Sequence, residues 1–514
     1  MSQLPDLLRD VPRGVTSRYL HQQSVPQARW QSPDDIIASP ALRYDPHNPG
    51  NKILLGAIGD HLIGFADNRH MMTVAGSRAG KSVTLIGNLF FWRGSALITD
   101  PKGELARMTA PARAALGQRV YVLDPFNYLP DELAEFRAGY NPLATLSLDS
   151  PTIIEDANLI ADAIVMSSPD ARDPHWDDSA RDFIEGLILY VVTAPEYEGA
   201  RHLVTVRNLI QTVMMDDPED DSDVPLCVLE QAMLETAIAL QDDPATEDVG
   251  RAIEGSARGF YEKADRERDS VLSTVRRHTK FLDYSALRRV LTRHDFSLAD
   301  LKRAPEGMTV YLCFPATRIS IAGRWLRMFI NQLLDAMERQ PALVDAPPVL
   351  VCLDEFPVLG YMRQLQNAAG QIASFGVKLW VVLQDWSQGV ALYNKGWETF
   401  AGNAGIMQVF GNTDVTTTEY ISKRLGRTPV EVVRTGEVSP EQAASGLSGR
   451  TSAIEMHDML TSEEVTRMFS RDDPLKRQLI LLAGYHPLTL QRVEYYDPDG
   501  ALAPFIDRSA IDGA

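Results

Sequence analysis

The strongest constraint on this chain lies in one short stretch, Ala75-Gly76-Ser77-Arg78-Ala79-Gly80-Lys81-Ser82. It fits the phosphate-loop pattern G-x-x-x-x-G-K-[ST] except at the first position, where alanine replaces glycine. A short apolar run, Met71–Ala75, precedes it, and an apolar helix is expected from Ser82 to Trp92. Strand, loop and helix in that order build a cradle for an anion. Main-chain N–H groups of the loop curl around a β-phosphate, and the helix start adds its positive end. Lys81 brings a cation to the β- and γ-phosphates, and the Ser82 hydroxyl ligates magnesium. Gly80 stands where the backbone must come close to the phosphate. The nucleotide-binding candidates are Ala75, Gly76, Ser77, Arg78, Ala79, Gly80, Lys81, Ser82 and Val83, with ATP and Mg2+ as the expected ligands.

Two further strand ends carry polar chemistry. In Pro347–Gly360 (PPVLVCLDEFPVLG) an apolar run leads into Asp354-Glu355. A buried strand ending in two carboxylates is what a Walker B site requires. Asp354 would hold magnesium, and Glu355 would polarise the attacking water as general base. The pair stands at the C-terminal end of a strand, where open α/β sheets bind ligands. In Lys378–Gln388 (KLWVVLQDWSQ) the strand ends at Gln384. From the residues alone Gln384 is either a γ-phosphate sensor or a polar cap. Asp100-Pro101-Lys102-Gly103-Glu104 also follows a strand, and reads equally as a wall of the nucleotide cleft or as a turn made by Pro and Gly.

With 514 residues the chain is expected to form two or three units. A strand pair is expected around Lys52–Leu55 and His61–Phe65. After the phosphate loop come a strand at Ser95–Thr99, a helix at Leu105–Leu116 and a strand at Val120–Leu123. Strands alternating with helices mean βαβ units and a parallel sheet. From about 150 to 300 helical periodicity dominates, broken by the acidic loop Asp216–Asp223 (DDPEDDSD), read as a solvated turn. Strands return at Met308–Phe314, Val349–Leu353, Lys378–Leu383, Ile406–Phe410 and Gln478–Leu482. The fold expected is α/β, a parallel sheet with helices on both faces, interrupted by an all-helical insertion. The divisions are an N-terminal extension (1–70), the first part of a nucleotide-binding domain (71–150), a helical domain (151–300), its second part (301–500) and a tail (501–514).

Composition narrows the function classes. The net charge of −19 excludes a surface that clamps nucleic acid all round, but not a local basic channel. Cys227, Cys313 and Cys352 lie far apart and form no CxxC pair, so buried thiols are expected rather than zinc or disulfides. The histidines show no ligand spacing. Arg276, Arg277 and Lys280 read as a charged helix face that can also meet a polyanion. No apolar run reaches the roughly 18–20 residues of a membrane span, and the N-terminus carries no signal-peptide pattern.

These motifs together resemble the coupling-protein ATPases of type IV secretion and conjugative DNA transfer. The resemblance runs from about Met71 to Tyr496. It is carried by the phosphate loop, ITDPKGE (Ile98–Glu104), LDPF (Leu123–Phe126), YNPL (Tyr140–Leu143) and DPHWDDSAR (Asp173–Arg181). VLSTVRRHTKFLD (Val271–Asp283), LDEFPVLG (Leu353–Gly360), LWVVLQDWSQ (Leu379–Gln388) and FGNTDVTTTEYISKRLG (Phe410–Gly426) complete it. It implies a RecA/FtsK-like hexameric motor with nucleotide between subunits. Such a ring moves single-stranded or relaxase-bound DNA towards a secretion channel, in company with type IV secretion and relaxosome proteins. The helical stretch resembles the lobe that selects substrates. Gln384 falls on the family's γ-phosphate sensor position, which makes Lys81, Glu355 and Gln384 the implied catalytic set. No arginine finger is singled out among Arg363, Arg324, Arg327, Arg424 and Arg427.

Family members typically begin with transmembrane helices, and none is read here. The expectation is a cytoplasmic protein without a direct membrane span, recruited to the inner membrane by partners. Two other classes stay open: a phosphate-loop NTPase that serves a protein partner or works apart from secretion and DNA, and a non-catalytic recruiter that uses nucleotide as a switch.

Overall fold

The computed structural model describes residues 28–166, 175–215, 227–341, 346–435 and 450–506. The acidic loop Asp216–Asp223, the first two residues of the Asp173–Arg181 block and residues 507–514 of the tail lie outside the described residues. The chain divides into two compact units. One joins both chain ends (Met1–Arg93 with Leu379–Ala514), and the other is the middle (Gly94–Lys378). In chain order the strands are β1 (Ile53–Ile58), β2 (His61–Phe65), β3 (Met71–Ala75), β4 (Ala96–Asp100), β5 (Arg119–Leu123), β6 (Met308–Cys313) and β7 (Val349–Leu353). There follow β8 (Val377–Leu383), β9 (Ile406–Phe410), β10 (Arg427–Thr435), β11 (Arg450–Asp458), β12 (Arg477–Leu482) and β13 (Leu488–Gln491).

In the middle unit the strands lie in the order β7-β4-β6-β5, and each neighbouring pair is parallel. Their sequences are continuous apolar runs because both faces are covered: every residue of β6 and β7 is buried. Between the neighbours β5 and β6 the chain leaves the sheet and builds a helical lobe. Its helices include Ile153–Ile164, His175–Thr193, Leu203–Thr212, Val228–Gln241, Glu247–Tyr261 and Asp265–Thr279. The lobe has its own core. Phe183 stacks on Phe260 with ring centroids 3.9 Å apart. Gly186 lets the helix His175–Thr193 approach Ser256 so closely that a Cβ there would lie 2.0 Å from the Ser256 hydroxyl oxygen. Arg207 donates to both carboxylate oxygens of Asp283, at 2.8 and 2.6 Å.

In the unit of the chain ends the order is β2-β1-β13-β12-β9-β3-β8. β3 is parallel to β8 and to β9. Here the expected parallel rhythm stops short of Gln478–Leu482. β12 runs antiparallel to both β9 and β13. For β13 the physical reason is its link from β12, residues 483–487, which is far shorter than the dozen or so residues of a parallel crossover. The sheet is therefore mixed. β13 and the antiparallel pair β10–β11 are additions that the sequence reading did not anticipate. Among the described residues no helix is long and apolar enough to cross a membrane. The cysteines are free thiols, with Cys313 and Cys352 buried.

A chain of buried polar side chains fixes the register of this mixed sheet. The Trp380 indole N–H donates to the Thr73 hydroxyl (2.9 Å), and Thr73 donates to Gln408 Oε1 (3.0 Å). Gln408 Nε2 donates to Gln478 Oε1 (2.5 Å), and Gln478 Nε2 ends the chain on the Leu55 carbonyl (2.7 Å). Trp380, Thr73, Gln408 and Gln478 are each 1% exposed, so no water replaces a lost partner. A one-residue slip of any strand would strand these groups on the opposite face. Gln408→Leu leaves Thr73 without its acceptor and Gln478 without its donor. It should cost about 2–4 kcal/mol, read as a lowered urea midpoint of the tryptophan fluorescence transition. A midpoint within error of the parent would show that the chain does not hold the register.

Candidate nucleotide site

The phosphate loop rises from the end of β3. Ala75 pairs with Phe410 in the parallel register of β3 and β9, and the Gly76 N–H donates to the Phe410 carbonyl at 3.2 Å. The two strand ends then touch backbone to backbone. A Cβ on Gly76 would fall 1.9 Å from the Gly411 carbonyl oxygen, so no larger residue fits. Gly411 itself has φ +68°, and a Cβ there would meet the Ala79 methyl at 2.4 Å. Ala75, Ala79 and Phe410 form a small buried cluster. The methyl of Ala75 is packed in it, which accounts for alanine at the position where the general pattern has glycine.

The loop then turns sharply. Arg78 and Gly80 have positive φ values, 58° and 103°. Gly80 is the N-cap of the helix Lys81–Leu89 and is left-handed, a conformation that a residue with a side chain adopts at a cost. Ser77 and Arg78 are exposed, while Gly76, Gly80, Lys81, Ser82 and Val83 are half-buried. The Lys81 ammonium donates to the carbonyls of Ala75 (2.9 Å) and Gly76 (3.1 Å), folding back across the mouth of its own loop. The helix is anchored from behind by Asn88, whose amide exchanges two hydrogen bonds with the main chain of Leu54 in β1 (2.8 and 3.0 Å). A helix start, a left-handed glycine and a lysine over the loop suit a phosphate. The Ser82 hydroxyl and the Asp354 carboxylate are oxygen donors of the kind magnesium takes.

Gln384 leaves the same edge of the sheet as the loop, because Val74 of β3 lies opposite Leu383 of β8. Its main chain is held on both sides. The Gln384 N–H donates to Gln388 Oε1, and Asn412 Nδ2 donates to the Gln384 carbonyl, each at 2.9 Å. Asp385 caps the following helix, Trp386–Tyr393. In the middle unit, Asp354 follows β7 and is buried, and its carbonyl accepts from the Thr99 hydroxyl at 2.8 Å. Glu355, half-buried, has φ 59°, a left-handed conformation that is rare and costly for glutamate and common at functional sites. Asp100–Glu104 turns, as one of its two readings had it, from the end of β4 through left-handed Gly103 into the helix Glu104–Ala115. Asp100 is buried beside Asp354 and accepts from the Ala106 N–H at 2.8 Å. Burial pushes its carboxyl up to about 7, the Ala106 N–H opposes this, and the charge of Asp354 adds to the rise.

The arginine alternatives separate by environment. Arg327 is buried and donates to the carbonyls of Leu359 (3.1 Å) and Tyr361 (2.5 Å). Burial lowers the basicity of Arg324, and its Nε donates to the Ile164 carbonyl at 3.3 Å. Arg363 and Arg424 are exposed, and Arg427 pairs with Asp458 at 3.5 Å. On the lobe, Arg276, Arg277 and Lys280 are exposed, with Arg277 3.3 Å from Asp177. The residues the sequence reading missed are Gly411, Asn412 and Arg492, the last of which donates to the Ala79 carbonyl at 2.8 Å. Gly411 and Asn412 lie inside the Phe410–Gly426 block, which gave them no role, Arg492 lies in no quoted block, and only the fold brings them to the loop.

The contact of Gly76 with Gly411 yields a sharp expectation. Gly76→Ala should weaken binding of ADP with magnesium at least about tenfold in a fluorescent-nucleotide titration, because the loop cannot close over β9. Ala75→Gly, which only empties a small methyl site, should change it by no more than about threefold. Equal affinities for the parent and Gly76→Ala would mean that the loop adapts.

Comparison with known proteins places this chain in a family. Residues 20–511 match the family described as type IV secretory system conjugative DNA transfer. A conjugal transfer protein TraG of Escherichia coli is 25% identical over 526 residues, covering 94% of this chain and 78% of TraG. The type IV secretion system-coupling protein VirD4 of Bartonella quintana (strain Toulouse) is 26% identical over 465 residues, covering 88% of this chain and 67% of VirD4. Among solved structures, the plasmid coupling protein TrwB in complex with ADP and Mg2+ shares the fold with a TM-score of 0.61. It is 12% identical, and the match covers 93% of this chain and 97% of that one. The unbound form of TrwBdeltaN70 matches with the same TM-score, 14% identity and coverage of 93% and 99%. With a family match that spans nearly its whole length, the chain belongs to the type IV secretory system conjugative DNA transfer family.

Proposed function

We propose that this chain is an ATP-hydrolysing coupling motor that recruits DNA or nucleoprotein and moves it towards a type IV secretion or conjugation channel. The observation that carries the reading is the phosphate loop, with left-handed Gly80 at the helix start and Lys81 folded over the loop mouth. Family membership and a TrwB relative solved with ADP and Mg2+ support nucleotide and magnesium as ligands. In this reading residues 75–83 enclose the phosphates. Lys81 neutralises charge that develops between the β- and γ-phosphates, and Ser82 and Asp354 are the magnesium ligands. Glu355 takes the proton of the attacking water, and Gln384 orients that water against the γ-phosphate. The helical segment 151–300 selects the substrate. DNA, single-stranded or relaxase-bound, is the cargo, and secretion and relaxosome proteins are the partners. The working form is a hexamer in the cytoplasm, brought to the inner membrane by those partners.

Steady-state ATP hydrolysis tests the reading. Lys81→Ala should lower kcat/KM at least about a hundredfold. Glu355→Gln should abolish turnover while nucleotide binding stays within about threefold of the parent, since the carboxylate acts on water and not on the phosphates. Single-stranded DNA should stimulate turnover at low salt and progressively less as salt rises, because phosphate contacts release counterions. Turnover that needs Lys81 but ignores DNA at every salt concentration would replace DNA with a protein cargo. Turnover equal in the parent and Lys81→Ala would end the ATPase reading.

A further inference from the structure

Arg492 follows β13 at the far end of the chain, yet its guanidinium reaches the phosphate loop. Nη1 donates to the Ala79 carbonyl at 2.8 Å, and Nη2 donates to the Arg471 carbonyl at 2.8 Å. Nε donates to the Lys476 carbonyl at 3.4 Å. The guanidinium carbon also lies 5.5 Å from the centroid of the Phe410 ring, the residue whose carbonyl accepts from Gly76. One rigid fork thus bridges the loop to the segment between the helix Ser462–Met468 and β12, and rests on the end of β9. Lysine has one point-like ammonium in place of this planar fork, whose three separate nitrogens each reach a different carbonyl.

The bond to Ala79 acts on the next residue. In a trans peptide the C=O and the following N–H point in opposite directions. Fixing the Ala79 carbonyl towards Arg492 therefore aims the Gly80 N–H away from Arg492, where it is available as a donor to an anion held by the loop. Gly80 has no Cβ to hold its own conformation at φ 103°, so the peptide in front of it is free to flip unless something holds its oxygen. We infer that Arg492 is a positioning residue for nucleotide: by holding the Ala79 carbonyl it aims the Gly80 N–H at the phosphate and keeps the loop in its binding shape. Burial disfavours the guanidinium charge, and nearby Glu494, Asp473 and Asp472 offset part of that cost. The cation is also close enough to the loop to favour a bound polyanion.

The inference rests on the nucleotide reading proposed above, and the experiment separates the two. The full chain is titrated with fluorescent ADP in the presence of magnesium, as parent, Arg492→Ala, Arg492→Lys and Lys81→Ala. Thermal melts without nucleotide run alongside. Arg492→Ala should weaken binding about tenfold to a hundredfold, as expected for a hydrogen bond from a charged donor. Arg492→Lys should fall between it and the parent. Millimolar ethylguanidinium should restore at least part of the affinity of Arg492→Ala and none of that of Lys81→Ala. An unchanged affinity in Arg492→Ala would overturn the inference and leave the nucleotide reading standing. A loss that follows the melting temperature, with neither lysine nor ethylguanidinium restoring binding, would reduce Arg492 to a packing role and also overturn it. Absence of binding by the parent itself would overturn both.

Discussion

The backbone contact between Gly76 and Gly411 sets the terms for everything near the loop. Two parallel strands, β3 and β9, end side by side, and at their ends the chains come closer than any side chain allows. The loop must then rise steeply away from β9. It does so through the left-handed residues Arg78 and Gly80, and that climb presents the helix start at Lys81. The small residues Ala75 and Ala79 follow from the same crowding, since Phe410 occupies the remaining space.

The mixed sheet answers a different problem. A parallel strand needs a crossover to reach its neighbour, whereas β12 and β13 are added through a short link and antiparallel pairing. Their addition brings Gln478 under Gln408, closing the polar chain that begins at Trp380. It also delivers Arg492 to the underside of the loop. The polar chain resists slippage, and the antiparallel strands supply side chains that a purely parallel arrangement would place elsewhere.

The strands with two buried faces were legible in the sequence. Met71–Ala75, Val349–Leu353 and Ile406–Phe410 are mostly apolar runs, broken only by Thr73 and Gln408, and the structure has β3, β7 and β9 over those same residues. Such runs need no periodicity to be recognised. The helical stretch was legible from its period. β10 and β11 were not, because their residues include Glu431, Glu455 and His457 beside exposed Val433 and Ile454, and they do not alternate cleanly. β13 is four residues long and carries too little pattern. At the site, the loop announced itself through its spacing. Gly411 stood inside the quoted Phe410–Gly426 block and Arg492 outside every block, but neither announced a role, since a glycine and an arginine become meaningful here only when the fold supplies their neighbours. Asp100 was half-legible: its place after a strand was visible, but its burial beside Asp354 depends on the pairing of β4 with β7.

The bond from Arg492 to Ala79 spans 413 positions of sequence. During synthesis the loop emerges early, with its strand and helix, but β9, β12 and the guanidinium that hold its underside arrive only after the entire middle unit has been made. Contacts of such separation form slowly, because a long loop of chain must close before they are rewarded. Until Arg492 has been made, the nascent chain therefore carries the loop without the side chain that holds the Ala79 carbonyl.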